Sequence, residues 1–249
     1  MAGSSSPPLL GVVANPVSAR DIRRVVANAG NLQITDRVNI VLRMLQAARA
    51  AGVARALLMP DRGGIRALLE RHLKRGDASL PAIHWLDFEP TSTVDDSFTA
   101  ARQLQAAGAR AIVVLGGDGT HRAVVRELAG QPDAPPIAGL STGTNNAFPE
   151  MREPTITGLA AGLFAAGRID AAQALRPNKL LEVLIHPRDG GPQRRDIAIV
   201  DAVITHDRSV GARALWKTGS LAAAYLAFAE PEAIGLSSIG GLLQPVSRQ

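Results

Sequence analysis

The chain has 249 residues, 46% of them hydrophobic, no cysteine, and a formal net charge of +5. That length accommodates one domain of about 150 residues with a smaller companion, and the missing cysteines exclude disulfides, thiolate metal sites and cysteine nucleophiles while fitting a reducing cytoplasm. The positive balance favours anionic small molecules, but an aromatic content of 3% leaves few platforms for stacking bases, so nucleic acid is not an expected partner.

The first eight residues lack the basic start of a signal peptide, and the apolar run at 9–14 is too short to span a bilayer, so no membrane attachment is expected. From there to about residue 150 short apolar runs alternate with amphipathic stretches. This is the pattern of a mainly parallel sheet covered by helices, a doubly wound α/β domain. Strands are expected at 9–14, 54–59, 82–86, 111–115 and 137–140. Between them, Thr35 caps a helix that carries Val38, Val41, Leu42 and Leu45 on one face and ends at Gly52. Ile65, Leu68, Leu69 and Leu73 form a second stripe. Thr93 and Asp96 cap a third helix, with Val94, Phe98, Ala101 and Leu104 turned inward.

The run 111–115 stops at Gly116-Gly117-Asp118-Gly119-Thr120. Glycines let the backbone turn and bring its N–H groups against a bulky anion, and a helix over 121–129 then points its positive end at the same place. Asp118 is the anomaly in such a cradle, because a carboxylate repels phosphate. It must hold a metal, orient a donor, or take a proton from an attacking hydroxyl. Ser141-Thr142-Gly143-Thr144-Asn145-Asn146 supplies hydroxyls and amides after the next strand. Asn15, Gly116–Thr120 and 141–146 thus all follow the carboxyl ends of strands, where ligands bind in such sheets. There is neither a Gly-x-x-x-x-Gly-Lys-Ser/Thr loop nor a Gly-x-Gly-x-x-Gly after the first strand, which argues against P-loop enzymes and nicotinamide oxidoreductases. His84, His186 and His206 lack metal-ligand spacing, so no protein-held metal site is expected.

After Pro154 the texture changes. A helix is expected at 155–166, an antiparallel hairpin from 180–186 and 196–205 around Gly190-Gly191, a short helix at 221–229, and a glycine-rich tail. The domains read as 1–153, α/β and nucleotide-binding, and 154–249, a smaller β-rich unit that is short or incomplete. Such a unit leaves Ile234, Leu236, Ile239, Leu242 and Leu243 to be covered by a second copy of the chain or left disordered, so a homodimer or higher homo-oligomer, incomplete as a catalyst, is expected.

Gly116–Thr120, together with the stretches 10–24, 140–149, 210–216 and 233–243, resembles the NAD kinase, diacylglycerol kinase and phosphofructokinase superfamily, and within it the ATP-NAD-kinase-like branch of acetoin catabolism protein X. The resemblance implies an NAD-kinase-like fold and an ATP-dependent kinase that phosphorylates a hydroxyl, with NAD as acceptor, NADP as product and a link to acetoin catabolism. It implies that Asp118 accepts the proton of that hydroxyl and that Gly116, Gly117, Gly119 and Thr120 contact the nucleotide phosphates. Asn15, Gly143, Thr144, Asn145 and Asn146 become nucleotide or acceptor contacts. Asp201 becomes a contact to the acceptor's sugar, although Val200 stands where NAD kinases carry asparagine and Ala19 where many relatives carry glycine. Magnesium arrives with ATP. A lipid or other alcohol kinase of diacylglycerol-kinase type, and a non-catalytic nucleotide-binding regulator, are the alternatives.

Overall fold

The computed structural model describes residues 7–16, 32–74, 76–142, 146–149, 152–207 and 218–249. Strands β1 (Leu9–Ala14), β2 (Arg55–Leu58), β3 (Ala82–Trp85), β4 (Ala111–Gly116) and β5 (Ile137–Ser141) pair in parallel in the order β3-β2-β1-β4-β5. They alternate with helices α1 (Ile34–Ala50), α2 (Ile65–Leu73), α3 (Asp95–Ala106) and α4 (Asp118–Leu128), and α5 (Pro154–Ala165) follows β5. This is the α/β architecture expected from the alternating runs.

The central strands are apolar throughout because both faces are covered. Leu10, Val12, Ala111, Val113 and Leu115 join one core with Val38, Met44 and Leu45 of α1, Ile65 and Leu69 of α2, and Ala161 and Ala165 of α5. Leu9, Val13, Ile112 and Val114 join the other with Ala101 and Leu104 of α3 and Val124 and Leu128 of α4.

Three expected helix starts shift. α3 begins at Asp95 behind Val94, so Thr93 does not cap it; Val94, expected to turn inward, is exposed, and Asp96 accepts from Thr91 N and Ser92 N at 2.8 Å. α1 begins at Ile34 behind Gln33, whose backbone N–H donates to Asp36 Oδ2 at 3.2 Å, so Thr35 lies inside the helix and does not cap it. α4 begins at Asp118, three residues before the expected start, because Gly117 is extended and serves as its N-cap.

By contact, the described residues up to 142 form one compact unit with Pro149 and 152–175, while 146–148 and 176–249, where described, form a second. The sequence reading divides the chain at 153/154, ahead of α5, yet this helix packs with the first unit. The physical reason is close helix contact. A Cβ on Gly158 would overlap the Met44 carbonyl of α1, and one on Gly162 would lie 2.8 Å from Ala51 Cβ and 2.9 Å from Ala48 Cα. Glu153 caps α5 by accepting from Ile156 N at 2.9 Å and pairs with Arg43 of α1. A single-turn helix, α6 (Ala171–Ala174), closes this unit.

In the second unit β6 (Leu181–Ile185) and β7 (Arg194–Ala198) form the expected antiparallel hairpin, but 201–205 is a separate strand, β8 (Asp201–Thr205). Its partner is β9 (Leu221–Leu226), in the stretch expected to be helical. Alanines at 222–224 favour a helix locally, and pairing with β8 overrides that preference. The expected glycine-rich tail contains a helix, α7 (Leu236–Leu243), on which Leu242 and Leu243 are 76% and 83% exposed.

His121 of α4 is fully buried, with Nδ1 2.9 Å from Gly117 O, and it occupies the space that a Cβ on Gly139 of β5 would need. Burial holds its imidazole below the ordinary value of 6.5; the Gly117 backbone, the Asp118 charge and the Val114 backbone only partly oppose this.

Two outcomes follow for stability. Gly158→Ala gains up to ~1 kcal/mol of helix propensity but forces α5 off α1, for a net loss of about 1–2 kcal/mol in urea unfolding. As pH falls through 6.5, the unfolded chain takes up a proton that the folded chain refuses. Stability is therefore full above that value and declines below it, at up to about 1.4 kcal/mol per pH unit. Unfolding titrations from pH 7.5 to about 5 should show this slope, and His121→Gln should flatten it.

Candidate functional site

The chain passes from β1 to β2 on one side and from β4 to β5 on the other, so the crevice at the carboxyl ends of β1 and β4 is the topological switch point. Asn15 follows β1 there, and Gly116–Thr120 follow β4.

Asn15 is fixed at three atoms. Its backbone N–H donates to Leu115 O at 3.0 Å. Its carbonyl accepts from Arg37 Nη1 at 2.8 Å, and its side-chain Nδ2 donates to Thr120 Oγ1 at 2.9 Å. Asn15 therefore links β1, β4, α1 and α4. Arg37 is only 2% exposed, and its Nε also donates to Leu32 O at 3.4 Å. This buried guanidinium, bonded to the first residue after β1, is one that the sequence reading missed. The signal was present, since Arg37 interrupts the inward stripe Ile34, Val38, Val41, Met44, Leu45 at helical spacing.

The five residues after Leu115 do different work. Gly116 is the last residue of β4, and a Cβ there would lie 2.6 Å from Thr120 Cβ. The reason for glycine at this position is the close approach of Thr120, which is buried and uses its hydroxyl to accept from Asn15. Gly117 has φ −92° and ψ −176°, extended backbone that any residue adopts, so the tight turn expected from its glycine is absent. Asp118 is the first residue of α4 and is partly exposed. A carboxylate in the first turn is favoured by the helix dipole, which accounts for an acid at this position. Gly119 is exposed, and nothing lies within 4 Å of where its Cβ would stand. Its amide, in the first turn, has no intrahelical acceptor by the geometry of a helix start. Open space beside Gly119 and a positive helix end thus lie next to one carboxylate.

On the neighbouring strand Ser141 pairs with Gly116, and Thr142 N donates to Gly116 O at 3.4 Å, bringing the start of the next loop to the same crevice. Gly143, Thr144 and Asn145 lie outside the described residues. Asn146 and Asp201 belong to the second unit, where Asp201 is half-buried at the start of β8 opposite Leu226. A surface cleft lined by Arg102, Gln105, Glu127 and Asp133 lies at the opposite end of β4, and the Arg102–Glu127 pair at 2.6 Å occupies it. Among the described residues no group of three or more His, Asp or Glu is placed to hold a metal ion, and no helix is long and apolar enough to cross a membrane.

The family model of the ATP-NAD kinase N-terminal domain matches residues 10–169, and that of the acetoin catabolism protein X C-terminal domain matches 179–249. The contact boundary after Leu175 falls between the two matches. Acetoin catabolism protein X of Cupriavidus necator is 63% identical over 245 residues, which is 97% of this chain and 67% of that protein. Among solved structures, that of an amidohydrolase aligns with 68% of this chain and 49% of its own at 14% identity and a TM-score of 0.20, a likeness too slight to carry an argument. With two family models together spanning most of its length and a close relative along nearly all of it, the chain belongs to the ATP-NAD kinase-like family, in the branch of acetoin catabolism protein X.

Proposed function

We propose that this protein is an ATP-dependent kinase that phosphorylates a hydroxyl of NAD, working in the cytoplasm in connection with acetoin catabolism. The observation that carries the reading is Asp118 in the first turn of α4 at the switch point, beside the exposed Gly119 and the Asn15–Thr120 hydrogen bond. The polar groups there suit a nucleotide triphosphate, whose phosphates would meet the first-turn amides of α4. Magnesium carried with ATP would offset phosphate charge. The Asp118 carboxylate takes the proton of the acceptor hydroxyl; that oxygen bonds to the γ-phosphorus as the bond to the β-phosphate oxygen breaks, leaving ADP and a phosphomonoester. Asn15, held by Arg37, keeps Thr120 and the start of α4 in register with β1. Family membership and the name of the Cupriavidus necator relative support the class of reaction and the acetoin link. Incubation with ATP, magnesium and a panel of NAD, NADH, diacylglycerol and acetoin, read as ADP formed, tests the acceptor.

A nucleotide-binding regulator is the second reading, favoured by Val200 at the position where NAD kinases carry an amide beside the acid. ATP binding without ADP formation on any acceptor would select it.

Asp118→Asn keeps the volume but cannot take the proton, so turnover should fall by about 10²–10⁴ with ATP affinity nearly unchanged. Turnover within about threefold of the parent removes the assigned role. Gly119→Ala meets no atom and is a better helix former, so it should raise stability by up to ~1 kcal/mol. If phosphate approaches this amide, the same variant weakens ATP binding, and calorimetry beside a thermal melt separates the two effects. The proposed partner besides ATP and NAD is a second copy of the chain, covering Ile239, Leu242 and Leu243 of α7. Sedimentation should show a dimer or larger species that Leu242→Glu with Leu243→Glu reduces; a parent that sediments as a monomer excludes it.

A further inference from the structure

Residues 146–148, which come after β5 in the chain, belong by contact to the second unit, although Thr142 before them and Pro149 after them belong to the first. One side chain of that unit grips two of them. Arg248 Nη1 donates to Phe148 O at 3.0 Å and Nη2 donates to Ala147 O at 2.9 Å, so its guanidinium grips two successive carbonyls. The fork is itself held from two sides, and its own backbone from a third. Nε donates to Glu230 Oε2 at 2.8 Å, the guanidinium carbon stands 4.1 Å over the centre of the buried Phe228 ring, and the Arg248 carbonyl accepts from Lys179 N at 2.9 Å. An antiparallel bridge between Ala229 and Val246 fixes the adjoining backbone. A charged planar group with all three nitrogens used and one face on an aromatic ring is a rigid clamp, and its bonds are of the stronger, charge-assisted kind.

We infer that Arg248 is a positioning residue for the acceptor: by holding the carbonyls of Ala147 and Phe148 it sets Asn146 in the unit that also carries Asp201. The inference rests on the kinase reading, in which Asn146 and Asp201 contact NAD. Lysine cannot replace the arginine, because a single ammonium cannot reach two carbonyls and Glu230 in one plane.

The test uses the full chain as parent, Arg248→Lys and Arg248→Ala. Calorimetry measures NAD and magnesium-ATP separately, and amide hydrogen exchange is followed over 141–149 and, as a control, over 111–118. Arg248→Ala should weaken NAD binding by about tenfold or more while ATP affinity stays within about twofold, and exchange should rise over 141–149 alone. Arg248→Lys should recover only part of the NAD affinity. Unchanged exchange over 141–149 would overturn the clamp. Raised exchange with unchanged NAD affinity, or full recovery by lysine, would overturn the positioning role. Exchange rising over both segments with ATP and NAD affinity lost together would make Arg248 a general structural residue and also overturn it. A parent that binds ATP but not NAD overturns the acceptor reading and the role assigned to Arg248 with it, whereas a parent that binds NAD as its variants do overturns the role alone.

Discussion

The first unit depends on one asparagine. Asn15 sits where β1 ends, and its backbone N–H, carbonyl and side-chain amide are each committed to a different element. Two of those bonds close the open end of the sheet between β1 and β4, where no strand hydrogen bonds remain to hold the ends together. The third brings in a buried guanidinium. Burying Arg37 is costly unless its donors are satisfied, and the carbonyls of Asn15 and Leu32 are where two of them go. The charge thus also fixes the Asn15 carbonyl.

That constraint explains the division of labour among the residues after β4. Thr120 faces inward to meet Asn15, which requires Gly116 to lack a side chain, and this brings the start of α4 directly against the end of the strand. Asp118 and Gly119 are consequently turned toward solvent within the first turn. The acid and the open amide owe their placement to buried neighbours, so the site is as rigid as the core beneath it.

Much of this was legible in the sequence, for reasons that differ by element. The central strands β1 and β4 are apolar runs buried on both faces, which leaves little choice but β structure, while β2, β3 and β5 are shorter apolar runs between polar residues, glycine and proline that their neighbours in the sheet complete. The residues that gather at β1 and β4 were also readable, because each directly follows such a run. The start of α4 was misread because glycine at its second position resembles a loop, while the helix accepts glycine there. The stretch 221–229 was misread because its alanines carry a local preference that a partner twenty residues away overrules. Arg37 was overlooked since arginine is ordinarily a surface residue, and only its place on an apolar stripe betrays it. The membership of α5 could not be read from composition. It depends on Gly158 and Gly162 fitting the backbone of a helix more than a hundred residues earlier.

That late contact bears on how the chain matures. During synthesis the sheet-forming strands through β5 emerge well before α5 does, and until Gly158 and Gly162 arrive the α1 backbone at Met44 and Ala48 lacks the helix that packs on it. A nascent first unit is therefore a half-clad sheet, adhesive along one helix, for the time it takes to translate the connecting segment. Its protection at that stage falls to chaperones or to the speed of the ribosome, and a pause between β5 and α5 would be the most hazardous place in the message to stall.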